Sequence, residues 1–134
     1  MGHYDFDLDF PAGQAAERFL DELLGSGHTI EVKREAKVSI TGNVAIEFEC
    51  RGKPSGIATT KAHWWAFVLD GEKYGGDIVI LVRTTRLKEL ARQLYIQGKW
   101  KIGGDEGSNT KLVIASLPEL VTLSPKNVQR SLLL

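Results

Sequence analysis

The chain has 134 residues, a length that suits one domain (1–134) with a core of its own and no need of disulfide staples. Basic and acidic residues number 17 each, so the formal net charge is zero; this excludes a strongly basic nucleic-acid coat protein but not an enzyme whose local acids offset the cations that grip phosphate. No apolar run approaches the roughly eighteen residues of a membrane span, Cys50 is the single cysteine, and Met1–Asp5 lacks the apolar centre of a secretory signal, so a cytoplasmic globular protein is expected.

In chain order, Tyr4, Phe6, Leu8 and Phe10 alternate with Asp5, Asp7 and Asp9, which predicts a short edge strand or extended arm. Pro11 suits a first helical turn, and Ala16, Phe19, Leu20, Leu23 and Leu24 recur at helical spacing over 12–25. Gly25-Ser26-Gly27 ends that helix. Residues 28–35 and 43–50 alternate as strands. Thr41-Gly42-Asn43 supplies turn chemistry between them, and Lys37-Val38-Ser39-Ile40 extends the first strand in one hairpin register. Arg51–Gly56 is a basic, glycine-rich loop. Residues 59–69, with Trp64, Trp65 and Phe67, read as a second helix. Asp77–Val82 is almost wholly apolar, as a central strand covered on both faces would be. Thr84 or Thr85 caps a third helix running to about Tyr95. Residues 101–111 read as a mobile polar loop and 111–115 as a last strand, followed by Pro118-Glu119-Leu120 and the apolar tail Ser131–Leu134. That tail is awkward on a monomer and is expected to dock on its own core or on a partner. The order predicts an α/β fold with a mixed central β-sheet flanked by helices.

The chemistry-bearing residues concentrate on the two alternating strands. In Ile30-Glu31-Val32-Lys33 and Val44-Ala45-Ile46-Glu47-Phe48-Glu49, the charged side chains share one parity. If the strands form a hairpin without a bulge, Glu31, Lys33, Glu47 and Glu49 stand side by side. Like charges on neighbouring strands repel, and a bound divalent cation removes the repulsion. Mg²⁺ prefers oxygen ligands, activates water and stabilises a charged phosphate; a lysine beside it assists the attack. Two or three of these carboxylates with water would serve the metal, with Lys33 assisting. An exposed strand face carrying a surface ion pair is the ordinary alternative. Glu17 borders the buried stripe of its helix and is either a surface carboxylate or a third catalytic group. Arg34, Lys37, Arg51, Lys53, Ser55, Thr60 and Lys61 are candidate contacts to a DNA backbone, weighed against a solvated loop. His28 and His63 lack metal-ligand spacing to Cys50, and Gly103-Gly104 with Gly107 lacks the lysine pattern of a phosphate loop. Trp64 and Trp65 read as core or dimer interface.

Ala12-Gly13-Gln14-Ala15-Ala16-Glu17-Arg18 followed by Ile30-Glu31-Val32-Lys33, together with Thr41–Glu47, Arg51–Ile57, Thr59-Thr60 and Trp64, resembles the archaeal-type Holliday junction resolvases of the PD-(D/E)XK nuclease superfamily, in the form that bacteriophages encode. The resemblance covers roughly residues 4–95. It implies a restriction-endonuclease-like fold, an Mg²⁺-dependent (or Mn²⁺-dependent) endodeoxyribonuclease of DNA recombination, and a homodimer that makes paired nicks in four-way junctions, in the cytoplasm of an infected host cell. Glu17 matches the family's helix glutamate, and Glu31 and Lys33 resemble its E-x-K. The family's acid between that helix and the E-x-K strand is missing here. In a second register Glu31 takes that acid's place and Glu47-x-Glu49 stands at the E-x-K position, with Lys33 supplying the amine. Both registers use Glu31, Lys33 and Glu47, so the resemblance implies Glu31 and Glu47 as metal ligands with Lys33 assisting, and Glu35 and Glu49 in reserve. Two rivals stay open: another phage nuclease, cutting forks, flaps or duplex, and a non-catalytic DNA-binding protein on a degenerate nuclease fold. A plain α/β interaction domain would bind neither metal nor DNA.

Overall fold

The computed structural model describes residues 3–25 and 27–122, with the side chains of the first helix described from Gly13 onward. The chain is α/β, with helices α1 (His3–Gly25), α2 (Val38–Thr41), α3 (Thr84–Ile96) and α4 (Leu117–Thr122). Its strands are β1 (Ile30–Glu35), β2 (Asn43–Cys50), β3 (Lys53–Pro54), β4 (Trp64–Leu69), β5 (Ile78–Arg83), β6 (Trp100–Gly103) and β7 (Thr110–Ser116). They form two sheets in place of the single mixed sheet expected. One is three-stranded in the order β1-β4-β5, and the other is four-stranded in the order β3-β2-β7-β6. No helix among the described residues is long and apolar enough to cross a membrane.

The first sheet is built around β4. Trp-Trp-Ala-Phe-Val-Leu is a continuous apolar run, and such a run does not by itself separate a buried strand from a buried helix. Its aromatic and β-branched content suits a sheet, and burial of five of its six side chains confirms the strand where a helix over 59–69 was predicted. β4 pairs parallel with β1, Ile30 opposite Trp64 through Glu35 opposite Leu69. It pairs antiparallel with β5, Trp64 opposite Arg83 through Leu69 opposite Ile78. So β4 is the central strand, and β5, predicted to be central, lies at an edge with only Val82 buried.

Register assigns the faces. Trp65, Phe67, Leu69 and Val82 point inward and join Val44, Ile46, Val113 and Ala115 of the second sheet in one apolar cluster. Leu87, Leu90, Ala91 and Leu94, on one side of α3, pack into the same cluster, and Leu120 of α4 completes it. On the outer face, Phe19 of α1 meets Trp64 edge-to-face, with ring centroids 5.3 Å apart.

Other expectations change for local reasons. Residues 4–10 belong to α1, which runs unbroken through Pro11; a helix satisfies its own backbone groups, whereas an isolated strand needs a neighbour. Val38–Thr41 is a helical turn closed by Gly42 at φ 72°, not an extension of β1. The expected loop over 101–111 is largely the β6–β7 hairpin, with Trp100 opposite Val113 and Gly103 opposite Thr110. The tail Ser131–Leu134 lies outside the described residues.

Candidate functional site

Polarity on β1 is inverted. Its apolar residues Ile30 and Val32 lie on the outer face, 36% and 61% exposed. Glu31, Lys33 and Glu35 lie on the inner face, in register with buried Trp65, Phe67 and Leu69. The pairing with β4 enforces this, because a one-residue slip would turn Trp65 and Phe67 out of the core. Lys33 Nζ stands 3.9 Å from Glu31 Oε2 and 5.3 Å from the centroid of the Trp65 ring. The ammonium is thus held between a carboxylate and an aromatic face, a combination of charge pairing and cation–π attraction.

Glu35 stands at the far end of this row. Burial pushes its carboxyl above the ordinary range, against the opposing effects of the Ala45 backbone N–H, which donates to it, and of Lys33 nearby. Ala45 belongs to β2, and among the described residues no strand pairs with β2 on that side ahead of Glu49. A side chain from β1 therefore satisfies a backbone donor on the free edge of β2 and links the two sheets. Further along that edge the 3-10 turn Gly56–Ala58 packs so close that a Cβ on Gly56 would lie 2.2 Å from the Glu47 carbonyl oxygen.

Beside Glu35 a cavity of about 340 Å³ opens between the end of β1, the start of β2 and β6, and Arg34, Lys37, Thr41, Asn43 and Lys101 line it with Glu35. Three cations and one carboxyl make it an anion-attracting cleft. Arg34 Nε donates to Asp70 Oδ2. The Gly71 backbone N–H, first, and Arg34, second, hold the Asp70 carboxyl below the usual carboxylate range. Lys37 and Lys101 are exposed. Sequence reasoning missed Lys101, because it fell in a segment read as loop; the alternation Trp100-Lys101-Ile102 was the available signal.

The expected hairpin of β1 and β2 does not form, since the two strands belong to different sheets. The shared parity of Glu47 and Glu49 fails as well. A bulge lies between them, with Glu47 opposite Leu112 and Glu49 opposite Lys111. The extra residue, Phe48, packs edge-to-face on Tyr95 and Trp100, with centroids 5.4 and 6.2 Å away. Glu49 bonds Lys111 Nζ at 2.9 Å, and Glu47 stays on the face opposite Val44 and Ile46. Glu17 is exposed on α1, which meets the first sheet on its outer face, away from the Glu31–Lys33 row.

The candidate DNA contacts divide in the same way. Arg34 and Lys37 line the cleft, while Arg51 and Lys53 are exposed at the β2–β3 turn and Lys61 in the connector to β4. Ser55 and Thr60 turn inward: Ser55 Oγ is buried with no hydrogen-bond partner among the described residues, and Thr60 Oγ1 accepts from Trp65 Nε1 at 3.4 Å and from the Ala62 N–H at 3.2 Å. His28 and His63 stack with centroids 4.7 Å apart. Trp64 Nε1 donates to His28 Nδ1 at 3.2 Å, and the Thr29 N–H donates to His63 Nδ1 at 3.1 Å. Among the described residues no three His, Cys, Asp or Glu side chains come together as a group able to hold a metal. Compared with known protein families, curated proteins and solved structures, the chain matches none.

Proposed function

We propose that the protein is a metal-dependent, structure-selective endodeoxyribonuclease on a restriction-endonuclease-like fold, with the four-way DNA junction as its substrate. One observation carries the reading: β1 sets Glu31, Lys33 and Glu35 on the face that carries Trp65, Phe67 and Leu69, with the Glu31 and Lys33 side chains still 42% and 39% exposed, and leaves Val32 61% exposed on the other face. Half-burying charges while exposing apolar groups costs stability, and natural chains break such local rules chiefly at functional or strained sites. The Arg34–Lys37–Lys101 cleft adjoins this row and suits a phosphodiester backbone.

Mg²⁺, or Mn²⁺, is the cofactor the reading calls for. Mg²⁺ is commonly held by one or two carboxylates, waters and substrate phosphates, so a set led by Glu31 fits it without three converging protein carboxylates. Glu47, on β2 of the other sheet, is the second ligand this reading assigns. When bound, the ion would supply an activated water and charge stabilisation at phosphorus. Lys33, fixed by Glu31 and Trp65, presents its ammonium to a phosphate oxygen and offsets the charge that builds during attack. The cleft cations orient the strand, and Glu17 is assigned to the DNA rather than to the reacting phosphate.

The test is cleavage of a labelled four-way junction and a matching linear duplex, with Mg²⁺ and with EDTA, beside Glu31→Gln. Paired nicks in the junction alone, lost with EDTA and in the variant, are expected. Cutting of both DNAs would leave a nuclease of another kind. The family acid missing between α1 and the Glu31–Lys33 strand favours a second reading, a non-catalytic DNA-binding protein on a degenerate nuclease fold. It predicts junction binding without turnover in either metal.

A further inference from the structure

Among the described residues the two sheets end in four edge strands, the stretch of β2 that β3 leaves uncovered being met by Glu35 and the Gly56–Ala58 turn, and three of the four carry ordinary protection against pairing with another chain. β1 bears Glu31, Lys33, Arg34 and Glu35; β3 is two residues long and contains Pro54; β6 is four residues long and carries Lys101. Charge, proline and shortness are the usual means of blunting an edge. β5 has none of them. From Ile78 to Val82 it holds no charge and no proline, its register with β4 is continuous, and no strand among the described residues pairs with its other edge. Ile78, Val79 and Leu81 are 46%, 52% and 36% exposed.

We propose that β5 pairs antiparallel with β5 of a second copy about a twofold axis at Ile80, joining two three-stranded sheets into one continuous sheet with β5 at its centre. The sequence around the strand fits this partner. Val79, Leu81 and Arg83 share the outer face, and Asp77, the residue just ahead of the strand, joins it if the extended backbone continues by one residue. A twofold axis normal to the sheet sets outer residues opposite outer residues. Centred on Ile80, it puts Val79 opposite Leu81, Ile78 opposite Val82, and Asp77 opposite Arg83 of the other copy, twice per dimer. Shifting the register by two residues sets Asp77 against Leu81, or Arg83 against Val79, and leaves both charges without the opposite sign. The Asp77 and Arg83 ends thus make the strand self-complementary in one register, as an isologous interface requires. The inference stands on the edge strand and is independent of the nuclease reading.

The test is sedimentation equilibrium of the intact chain and of Asp77→Arg, Arg83→Asp, the double swap and Val79→Lys, each checked for folding by circular dichroism. The wild type is expected to sediment as two chains at micromolar concentration. Each single swap sets like charges opposite one another at both pairs and should raise the dissociation constant by about tenfold or more. The double swap should restore the dimer, and Val79→Lys, at an exposed position, should dissociate it. A monomeric wild type, a dimer indifferent to the single swaps and to Val79→Lys, or a double swap that fails to restore pairing would each overturn the proposal.

Discussion

Glu35 shows how far one side chain's surroundings can be tested without substrate. Its folded-state carboxyl is raised above the ordinary value of 4.5, mainly by burial. A raised carboxyl costs nothing at low pH, where both folded and unfolded states hold the proton. The stability it permits there is lost as pH climbs from the unfolded value through the folded one. Glu35→Gln keeps an acceptor for the Ala45 N–H and cannot ionise. The variant should therefore gain on the wild type between pH 4.5 and neutrality, read as a difference of urea midpoints at each pH; a difference that stays flat with pH would mean that Glu35 ionises freely in the fold. The β1 row itself was readable in the sequence, since strict alternation gives both the strand and the common face of Glu31, Lys33 and Glu35. Which face turns inward was not. That is decided by Trp65 and Phe67 on β4, a contact more than thirty residues away in the chain. Glu47 and Glu49 were misplaced for a different reason: the bulge at Phe48 is set by aromatic packing on Tyr95 and Trp100, and no local pattern announces it.

Elements that carry their own signal were read well. α3 shows its inward row in Leu87, Leu90, Ala91 and Leu94, and β2 shows its alternation. β4 and β5 are both apolar runs, and which one is central depends on pairing partners that no single segment encodes. α4 escaped notice although its start is a capping box: the Glu119 N–H donates to Ser116 Oγ at 3.1 Å, and the Ser116 N–H donates to Glu119 Oε1 at 2.9 Å. Lys99 Nζ bonds the other carboxylate oxygen at 2.9 Å. Burial raises the Glu119 carboxyl, but the Ser116 backbone N–H, Lys99 and the Ser116 side chain together bring it below the usual range. Glu119→Ala should then cost about 1 kcal/mol near neutral pH, the usual worth of a helix cap. A lowered carboxyl contributes stability above its unfolded value and loses it as pH falls through the folded value. The gap between wild type and Glu119→Ala should narrow below pH 4.5. Thermal melts at pH 7 and pH 3.5 check both parts, and a gap that widens in acid would contradict the capping role.

A chain of zero net charge can bind a polyanion only by concentrating its cations, and the cleft beside β1 gathers three of them while Asp70 neutralises part of one. Lys37 lies in the turn between β1 and α2 and Lys101 on β6 of the second sheet, so the cleft exists only once both sheets have docked. Phosphate contacts release condensed counterions, and the logarithm of affinity falls with the logarithm of salt by about 0.9 for each phosphate neutralised on duplex arms. If the cleft holds the DNA backbone, Lys37→Ala and Lys101→Ala should each weaken junction binding and reduce the magnitude of that slope by about one, and the double variant by about two. Lys53→Ala and Lys61→Ala, at the β2–β3 turn and in the connector, separate the cleft from the wider basic surface: slopes unchanged there would confine the DNA to the cleft, whereas equal losses at all four lysines would spread it over both. Slopes measured between 50 and 200 mM salt by fluorescence anisotropy in EDTA keep binding apart from cutting. Affinity that drops in Lys101→Ala with an unaltered slope would mean that Lys101 shapes the cleft without touching phosphate, and the proposed path of the strand would have to move away from β6.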